Sequence, residues 1–129
     1  MKKIVILMML LCSITAFAQA AETNYTGNLS ITVGDGATDM ISGQLVTVVD
    51  NGSKVTLSIP NFTYAGYTGT VTIVADKKGT GELDNPVVTF KNLQLFAYFD
   101  ETSFVTPSCQ IHLNIFAVLE FIDVDFISQ

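Results

Sequence analysis

Beyond residue 20, the chain contains one cysteine and one histidine, Cys109 and His112, three positions apart. A thiol beside an imidazole is the usual basis of a cysteine nucleophile. The alternation of apolar and polar residues over 109–116 predicts a strand, and residues three apart in a strand point to opposite faces. We therefore predict a buried cysteine and a solvent-facing histidine rather than a catalytic pair.

Two carboxylates near the C-terminus, Asp123 and Asp125, are spaced to share one face of a strand. Their separation of about 7 Å is one that glycosidase carboxylate pairs use. Their apolar neighbours Ile122, Val124 and Phe126 take the other face, however, so we expect the two acids to face water. Sequence signatures of a serine nucleophile, a phosphate-binding loop or a dinucleotide site are also missing. We predict no catalytic residues and no enzymatic activity.

Metal-binding patterns are equally weak. One cysteine and one histidine complete a zinc site only with carboxylates from elsewhere in the chain. The segment DGATD at 35–39 lacks the closely spaced oxygen ligands of a calcium-binding loop. We predict neither a metal site nor a cofactor.

Aromatic residues are the remaining candidates for binding, and they form two groups. Phe62, Tyr64 and Tyr67 lie around Gly66, and the second group includes Phe96 and Tyr98. Tyrosine combines an apolar ring with a polar hydroxyl, which suits contact with sugars or amphiphiles. Such rings also close the ends of ordinary barrels. The candidate ligand-binding residues are Phe62, Tyr64, Tyr67, Phe96 and Tyr98.

The N-terminus carries the pattern of a secretory signal peptide. Lys2 and Lys3 precede an apolar run from residue 4, and the run ends in the small-residue repeat AFAQA at 16–20. The apolar segment is shorter than the roughly 20 residues of a membrane span. Cys12 follows Leu11 rather than a small residue, which argues against lipid attachment. We assign 1–20 to a signal peptide and predict a secreted or periplasmic protein.

The composition after residue 20 limits the classes of partner. Four lysines, no arginine and all twelve acidic residues remain, which gives a formal charge of about −8. Nucleic-acid binding needs basic clusters, and anionic lipid surfaces repel such a chain. One cysteine cannot form an internal disulfide, so the fold must depend on packing.

The rest of the chain is predicted to consist of strands. Alternation is clear in NYTGNLSITV at 24–33 and KVTLSI at 54–59, and Pro60 ends the second strand. We expect a loop at 34–42, a strand at 43–50 and a type I′ hairpin at Asn51-Gly52. Residues 61–69 are read as a short strand or wide turn, 70–75 as a strand and 76–86 as a loop.

The C-terminal third contains two ambiguities. Residues 87–100 are expected to form one long strand, bent near Lys91-Asn92. In the tail, apolar residues occupy odd positions up to Phe121 and even positions from Ile122. A strand changes faces only through an inserted residue or a turn. This change predicts either a bulge near 121–122 or a turn around 116–118. Together the strands predict one all-β domain over 21–129, an antiparallel barrel or sandwich.

A family resemblance favours the barrel. A signal peptide, YTGNLSITV, a hairpin with Asn-Gly, VTLSIPNFTY and the closing strand FIDVDF together resemble the calycin-like domain family, small secreted proteins of Bacteroidetes. The resemblance implies a lipocalin-like antiparallel barrel of about eight strands. It implies no activity and no catalytic residues. The Gly-x-Trp of lipocalins proper is not matched, since Gly27 is followed by Asn28 and Leu29 and the chain has no tryptophan.

Two functions remain open at this point. An eight-stranded barrel either fills its interior with side chains or holds one small ligand. The leading hypothesis is therefore non-enzymatic binding of a small apolar or amphipathic molecule. The alternative is a structural or interaction module with a packed barrel that docks proteins or glycans through its loops.

Overall fold

The structure is a computed structural model that describes residues 21–64, 66–117 and 119–129. The predicted signal peptide lies outside the described residues. These residues form nine β-strands and no helix. The strands are β1 (Ala21–Val33), β2 (Thr38–Asp50), β3 (Lys54–Tyr64), β4 (Tyr67–Lys77), β5 (Glu82–Phe90), β6 (Leu93–Phe99), β7 (Ser103–Phe104), β8 (Gln110–Ala117) and β9 (Glu120–Ser128).

Eight of these strands close an antiparallel barrel, as the sequence predicts. Each strand from β1 to β5 pairs with the next along the chain, β6 pairs with β8, β8 with β9, and β9 with β1. The two-residue strand β7 is the extra element: it pairs with the beginning of β5 and with Gln110 at the start of β8. Closure removes the long unpaired edges that an open sheet would expose.

Apolar side chains fill the barrel under seven of its eight strands. The inward side chains include Leu57, Ile73, Val88 and Phe126, each with 0 % of its surface exposed. A void wide enough for water would leave accessible surface on the side chains around it, and these show none. The main exception is β6, whose inward Leu95, Ala97 and Phe99 are only partly buried, and Tyr25 and Val33 of β1 are partly buried as well. The barrel is therefore packed rather than hollow along most of its wall.

Prolines coincide with two interruptions in the hydrogen-bonded wall. The pairing of β2 with β3 stops at Thr47↔Ser58, two residues before Pro60. The pairing of β5 with β6 covers only Val88–Phe90, and Pro86 precedes it. Proline has no amide hydrogen for a ladder. An asparagine with positive φ adjoins each proline, Asn61 at 59° and Asn85 at 50°, and bends the strand further.

Four turns differ from the sequence prediction. The loop expected at 76–86 is reduced to 78–81, because β4 runs to Lys77 and β5 begins at Glu82. Strand β2 begins at Thr38, so the first loop is only 34–37 and residues 38–42 belong to the sheet. The segment 87–100 is not one bent strand, because Lys91 and Asn92 form a tight turn between β5 and β6 with φ of 52° and 65°. The hairpin at 51–53 exists, but only Gly52 has positive φ, so the turn is not type I′. At this turn Asp50 Oδ1 accepts a hydrogen bond from Gly52 N, which holds the backbone of the turn with a single left-handed residue.

The parity change in the tail is explained by a turn. Ala117 pairs with Glu120, so β8 and β9 form a hairpin. Ile122, Val124 and Phe126 face inward from β9, as Ile111, Leu113 and Ile115 do from β8. Of the two alternatives, the turn around 116–118 is the correct one, displaced by about one residue toward the C-terminus. Residues 61–64 and 67–69 likewise belong to the β3–β4 hairpin, and β3 continues through Pro60 to Tyr64 rather than ending at the proline.

Candidate functional site

The five predicted binding residues do not form one site. Phe62 is buried in the core, 5.9 Å from the ring of Phe90 in an edge-to-face contact. Tyr64 pairs through its backbone with Tyr67, whose side chain is 63 % exposed near the tip of the β3–β4 hairpin. Phe96 and Tyr98 lie on β6 and are exposed. Since β5 lies between β4 and β6, the sheet separates the two groups.

The exposed aromatic residues of β6 continue across two further strands. Phe96 is directly opposite Phe116 of β8, and Phe116 is directly opposite Phe121 of β9. The Phe116 and Phe121 rings are 5.0 Å apart, and the three side chains are 74 %, 37 % and 50 % exposed in strand order. With Tyr98, the next outward residue on β6, we call these four residues the aromatic face.

Sequence reasoning found Phe96 and Tyr98 but missed Phe116 and Phe121. In the sequence, Phe116 sits between Ile115 and Ala117 in an apolar run, where its outward orientation is hidden. Phe121 follows the apolar odd positions of β8, which suggested an inward residue. A reading of the tail as two strands would have placed both rings outside. The sequence feature that indicates both outward rings is therefore the change of apolar residues from odd to even positions, which also indicates the turn between β8 and β9.

The hairpin next to this face ends in a strained leucine. Leu119 has φ of 66°, in the left-handed region, and its side chain is 88 % exposed. Left-handed backbone costs a non-glycine residue about 1–2 kcal/mol. The β3–β4 hairpin uses Gly66, with φ of 82°, at its tip. An exposed leucine in this conformation gains nothing from the core, and such strain is often kept at sites of function.

A polar row lies beside the aromatic residues on the outer surface. Asn114 of β8 stands between Tyr98 of β6 and Asp123 of β9, and its Nδ2 donates a hydrogen bond to Asp123 Oδ1. The next outward pair is His112 and Asp125. The surface therefore changes within one pair of residues from aromatic to amide, imidazole and carboxylate.

Two contacts hold the ring of His112 in place. Gln110 Nε2 lies 2.8 Å from His112 Nε2, and His112 Nδ1 lies 2.7 Å from Asp125 Oδ1. A carboxylate only accepts, so Nδ1 is the donor in the second contact.

One acceptor in this row has no donor. Asn114 is 9 % exposed, and its Oδ1 atom is buried with no hydrogen-bond partner among the described residues. Reversing the amide would set its oxygen against the Asp123 carboxylate, so the orientation is fixed by that bond. A buried polar atom without a partner costs about 1–3 kcal/mol.

Further carboxylates lie at the same end of the row. The amide of Asp100 donates to the carbonyl of His112, and Glu101 Oε2 lies 3.8 Å from His112 Nε2. Desolvation, together with the negative charges of Asp125 and Asp123, raises the pKa of Asp100 above its ordinary value of 3.8. Four acids thus share this surface: Asp100, Glu101, Asp123 and Asp125.

The lysines lie elsewhere. Lys54 pairs with Asp76 at 2.6 Å, Lys77 with Asp50 at 2.7 Å, and Lys78 with Glu82 at 3.4 Å. These pairs belong to β2–β5 and the β4–β5 turn. The side chain of Lys91 lies against Gly69 of β4. Charge is therefore segregated: the acids beside the aromatic face have no lysine partner among the described ion pairs.

The two chemistries considered from the sequence have clear geometric outcomes. Cys109 points into the core with 0 % exposure, and burial raises the pKa of its thiol to about 12. His112 is on the outer surface, as strand alternation predicts, so the two side chains do not form a pair. Asp123 and Asp125 face outward, also as predicted, where they accept the bonds from Asn114 and His112 described above.

Other features offer less to a ligand. A shallow groove of about 230 Å³ lies beside β7, between Glu82, Phe104 and Pro107. It is smaller than the pockets of about 300–1,000 Å³ that hold drug-sized ligands. Within the described ranges, no three histidine, cysteine or acidic side chains are placed to hold a metal ion. No helix in the described part of the chain is long and apolar enough to cross a membrane.

Comparison with known proteins gives no match to a family model, a curated protein or a solved structure. The resemblance to the calycin-like family therefore stays a prediction from the sequence. The candidate site rests on the geometry of the aromatic face and the acidic row beside it.

Proposed function

We propose that this protein is a secreted or periplasmic interaction module whose packed barrel presents the aromatic face to a protein partner. The observation that carries the proposal is the row of Phe96, Phe116 and Phe121 across three neighbouring strands, all exposed. Large aromatic residues are enriched at protein interfaces and often dominate their binding energy.

The filled interior favours this function over the hypothesis of a ligand held inside the barrel. Outside β6, the buried core side chains have at most 8 % of their surface exposed, and only Tyr25 and Val33 of β1 pack against them partly buried. A drug-sized ligand needs a volume that these side chains already occupy. Under β6 the inward residues are partly exposed, but the gap there coincides with Pro86 and the separation of β6 from β5.

The strained tip supports a role for the same region. Leu119 is the most exposed of the large apolar side chains described, and it occupies a backbone conformation that favours glycine. Neither property stabilises the barrel. Both are explained when the leucine contacts a partner together with Phe116 and Phe121.

Site-specific photocrosslinking in the source cells tests the proposal. A benzophenone amino acid replaces Phe96 in one strain, Phe121 in a second and Tyr67 in a third, a matched control because Tyr67 is 63 % exposed on a different part of the barrel. We expect the same discrete protein adduct from positions 96 and 121 and no such adduct from position 67. The combined variant Phe96→Ser with Phe121→Ser should abolish co-purification of that partner, while Tyr67→Ser should retain it.

Absence of an adduct at both aromatic positions, or equal adducts at all three, would contradict the proposal. Native mass spectrometry of the protein from its own source addresses the ligand hypothesis independently. An additional small mass that is lost on unfolding would favour binding inside the barrel. A mass equal to that of the chain alone would agree with a filled interior.

A further inference from the structure

We infer that the aromatic face and the acidic row together bind an arginine side chain of the partner protein. The inference rests on the proposed function and names the chemical group that the face recognises. It is drawn from three features: the surplus of acceptors, the exposed rings beside them and the charge of the surface.

The polar row needs hydrogen-bond donors. Its own donors are used internally, since Asn114 Nδ2 donates to Asp123 and His112 Nδ1 to Asp125. What remains is the unpartnered Asn114 Oδ1 and the free lone pairs of the carboxylates. Asn114 Oδ1 is buried, so the acceptors that an incoming group reaches are the carboxylates, such as those of Glu101 and Asp125, whose side chains are 73 % and 45 % exposed. A group with several donors and a positive charge satisfies this arrangement.

The neighbouring rings favour guanidinium over ammonium. A guanidinium plane stacks on an aromatic ring while its edge donates to a carboxylate, whereas an ammonium is a compact and strongly hydrated charge. Phe96 and Tyr98 on β6 and Phe116 on β8 provide ring surface within one residue pair of Asn114 and Asp123. The site thus combines the two contacts that distinguish arginine from lysine.

The arginine must come from a different protein. This chain contains no arginine, so a second copy cannot supply the group. Its lysines pair with acids of β2, β4 and β5 or lie against Gly69. The acids beside the aromatic face, Asp100, Glu101, Asp123 and Asp125, therefore attract a basic surface of an unrelated partner.

Nuclear magnetic resonance titration of the ¹⁵N-labelled protein tests this inference with small probes. The probes are the N-acetyl methylamides of arginine, lysine and citrulline, where citrulline is the neutral analogue of arginine. We expect arginine to shift the Asn114 side-chain amide and the backbone amides of Phe96 and Phe121 in a saturable manner. Lysine should bind about threefold more weakly, as the loss of a cation–π contact of ordinary strength predicts, and citrulline should produce no saturable shift.

Variants show whether the shifts report the proposed contacts. Phe96→Ser and Glu101→Gln change side chains that are 74 % and 73 % exposed, so neither threatens folding. Both should weaken arginine binding by about threefold, Phe96→Ser through the lost cation–π contact and Glu101→Gln through the lost attraction between opposite charges. Tyr67→Ser on β4 and Asp84→Asn on β5, both outside the aromatic face, are the matched controls and should leave it within about twofold.

Equal binding of lysine or citrulline, shifts centred away from the aromatic face, or the absence of shifts would overturn the arginine assignment. The proposed function is judged separately by the crosslinked partner. An adduct at positions 96 and 121 that forms equally well in the Glu101→Gln and Asp123→Asn backgrounds would leave the interaction module standing and refute arginine recognition.

Discussion

The two sides of this barrel have the same interior and different outer surfaces. Under β3 and β4 the core is formed by residues such as Leu57 and Ile73, and under β8 and β9 by residues such as Leu113 and Phe126. The outer surface of β3 and β4 carries threonine, serine and paired lysines, including Thr63 bonded to Thr68 across the hairpin. The outer surface of β6, β8 and β9 carries exposed rings and acids instead.

This difference separates what the fold requires from what it permits. A closed barrel needs apolar side chains inside and tolerates polar ones outside, which β3 and β4 provide. Exposed rings in a contiguous row bring no stability to the barrel, and contiguous apolar patches on soluble proteins usually mark interaction sites. The contrast between the two sides is therefore the main argument for function.

The largest expected effect distinguishes two aromatic residues that the sequence ranked equally. Phe62→Ala removes a fully packed ring from the core and should lower the free energy of unfolding by about 3–5 kcal/mol. Phe96→Ala removes an exposed ring and should change it by at most about 0.5 kcal/mol. Urea denaturation at neutral pH measures both. Similar losses for the two variants would mean that the aromatic face is structural.

The hairpin tips give the next largest effect. Leu119→Gly relieves left-handed strain and should raise the free energy of unfolding by about 1 kcal/mol. Gly66→Ala should lower it by a similar amount, because φ there is 82° and no neighbouring atom crowds the new methyl group. Denaturation midpoints of the two variants provide the comparison. A destabilised Leu119→Gly protein would show that the leucine packs in the isolated barrel.

A smaller change in stability is expected at Asp50, which pairs with Lys77. The hydrogen bond from Lys77 is the main cause that lowers the pKa of Asp50 below 3.8, and the backbone bond from Gly52 adds to it. A carboxylate with a lowered folded-state pKa stabilises the protein above the unfolded value and loses that contribution as the pH falls through the folded value. Asp50→Asn should therefore lower stability by up to about 1 kcal/mol at pH 7, with the difference disappearing only below about pH 3.8.

The smallest expected change in stability is an increase, and it concerns Asp100 beside the aromatic face. Desolvation and the neighbouring acids raise the pKa of Asp100, so its ionised form destabilises the folded state at neutral pH. Asp100→Asn should raise stability by a few tenths of a kcal/mol at pH 7. The difference should fade as the pH drops through the raised folded-state value and vanish below the ordinary value of 3.8. Urea denaturation of both aspartate variants at pH 7, 5 and 3 measures these differences in the free energy of unfolding. A destabilised Asp100→Asn protein would contradict the mutual repulsion of the acids.

The sequence by itself determined the class of fold and most of its inward residues. Period-two alternation identifies the dry face of a strand wherever one side is buried, as in 54–59 and 111–115. The same alternation separated Cys109 from His112 and placed Asp123 and Asp125 outside. It also found Phe96 and Tyr98 as candidates, although it grouped them with Phe62, which belongs to the core.

Only the tertiary structure decided which strands are neighbours and therefore which outward residues meet. Phe96, Phe116 and Phe121 are brought together by cross-strand register, a relation between segments that no local pattern contains. The tight turn at Lys91-Asn92 was missed because two non-glycine residues adopt positive φ there, which composition did not indicate. Whether the barrel was filled also depended on the fold, since the interior volume depends on how all eight strands pack rather than on any one of them.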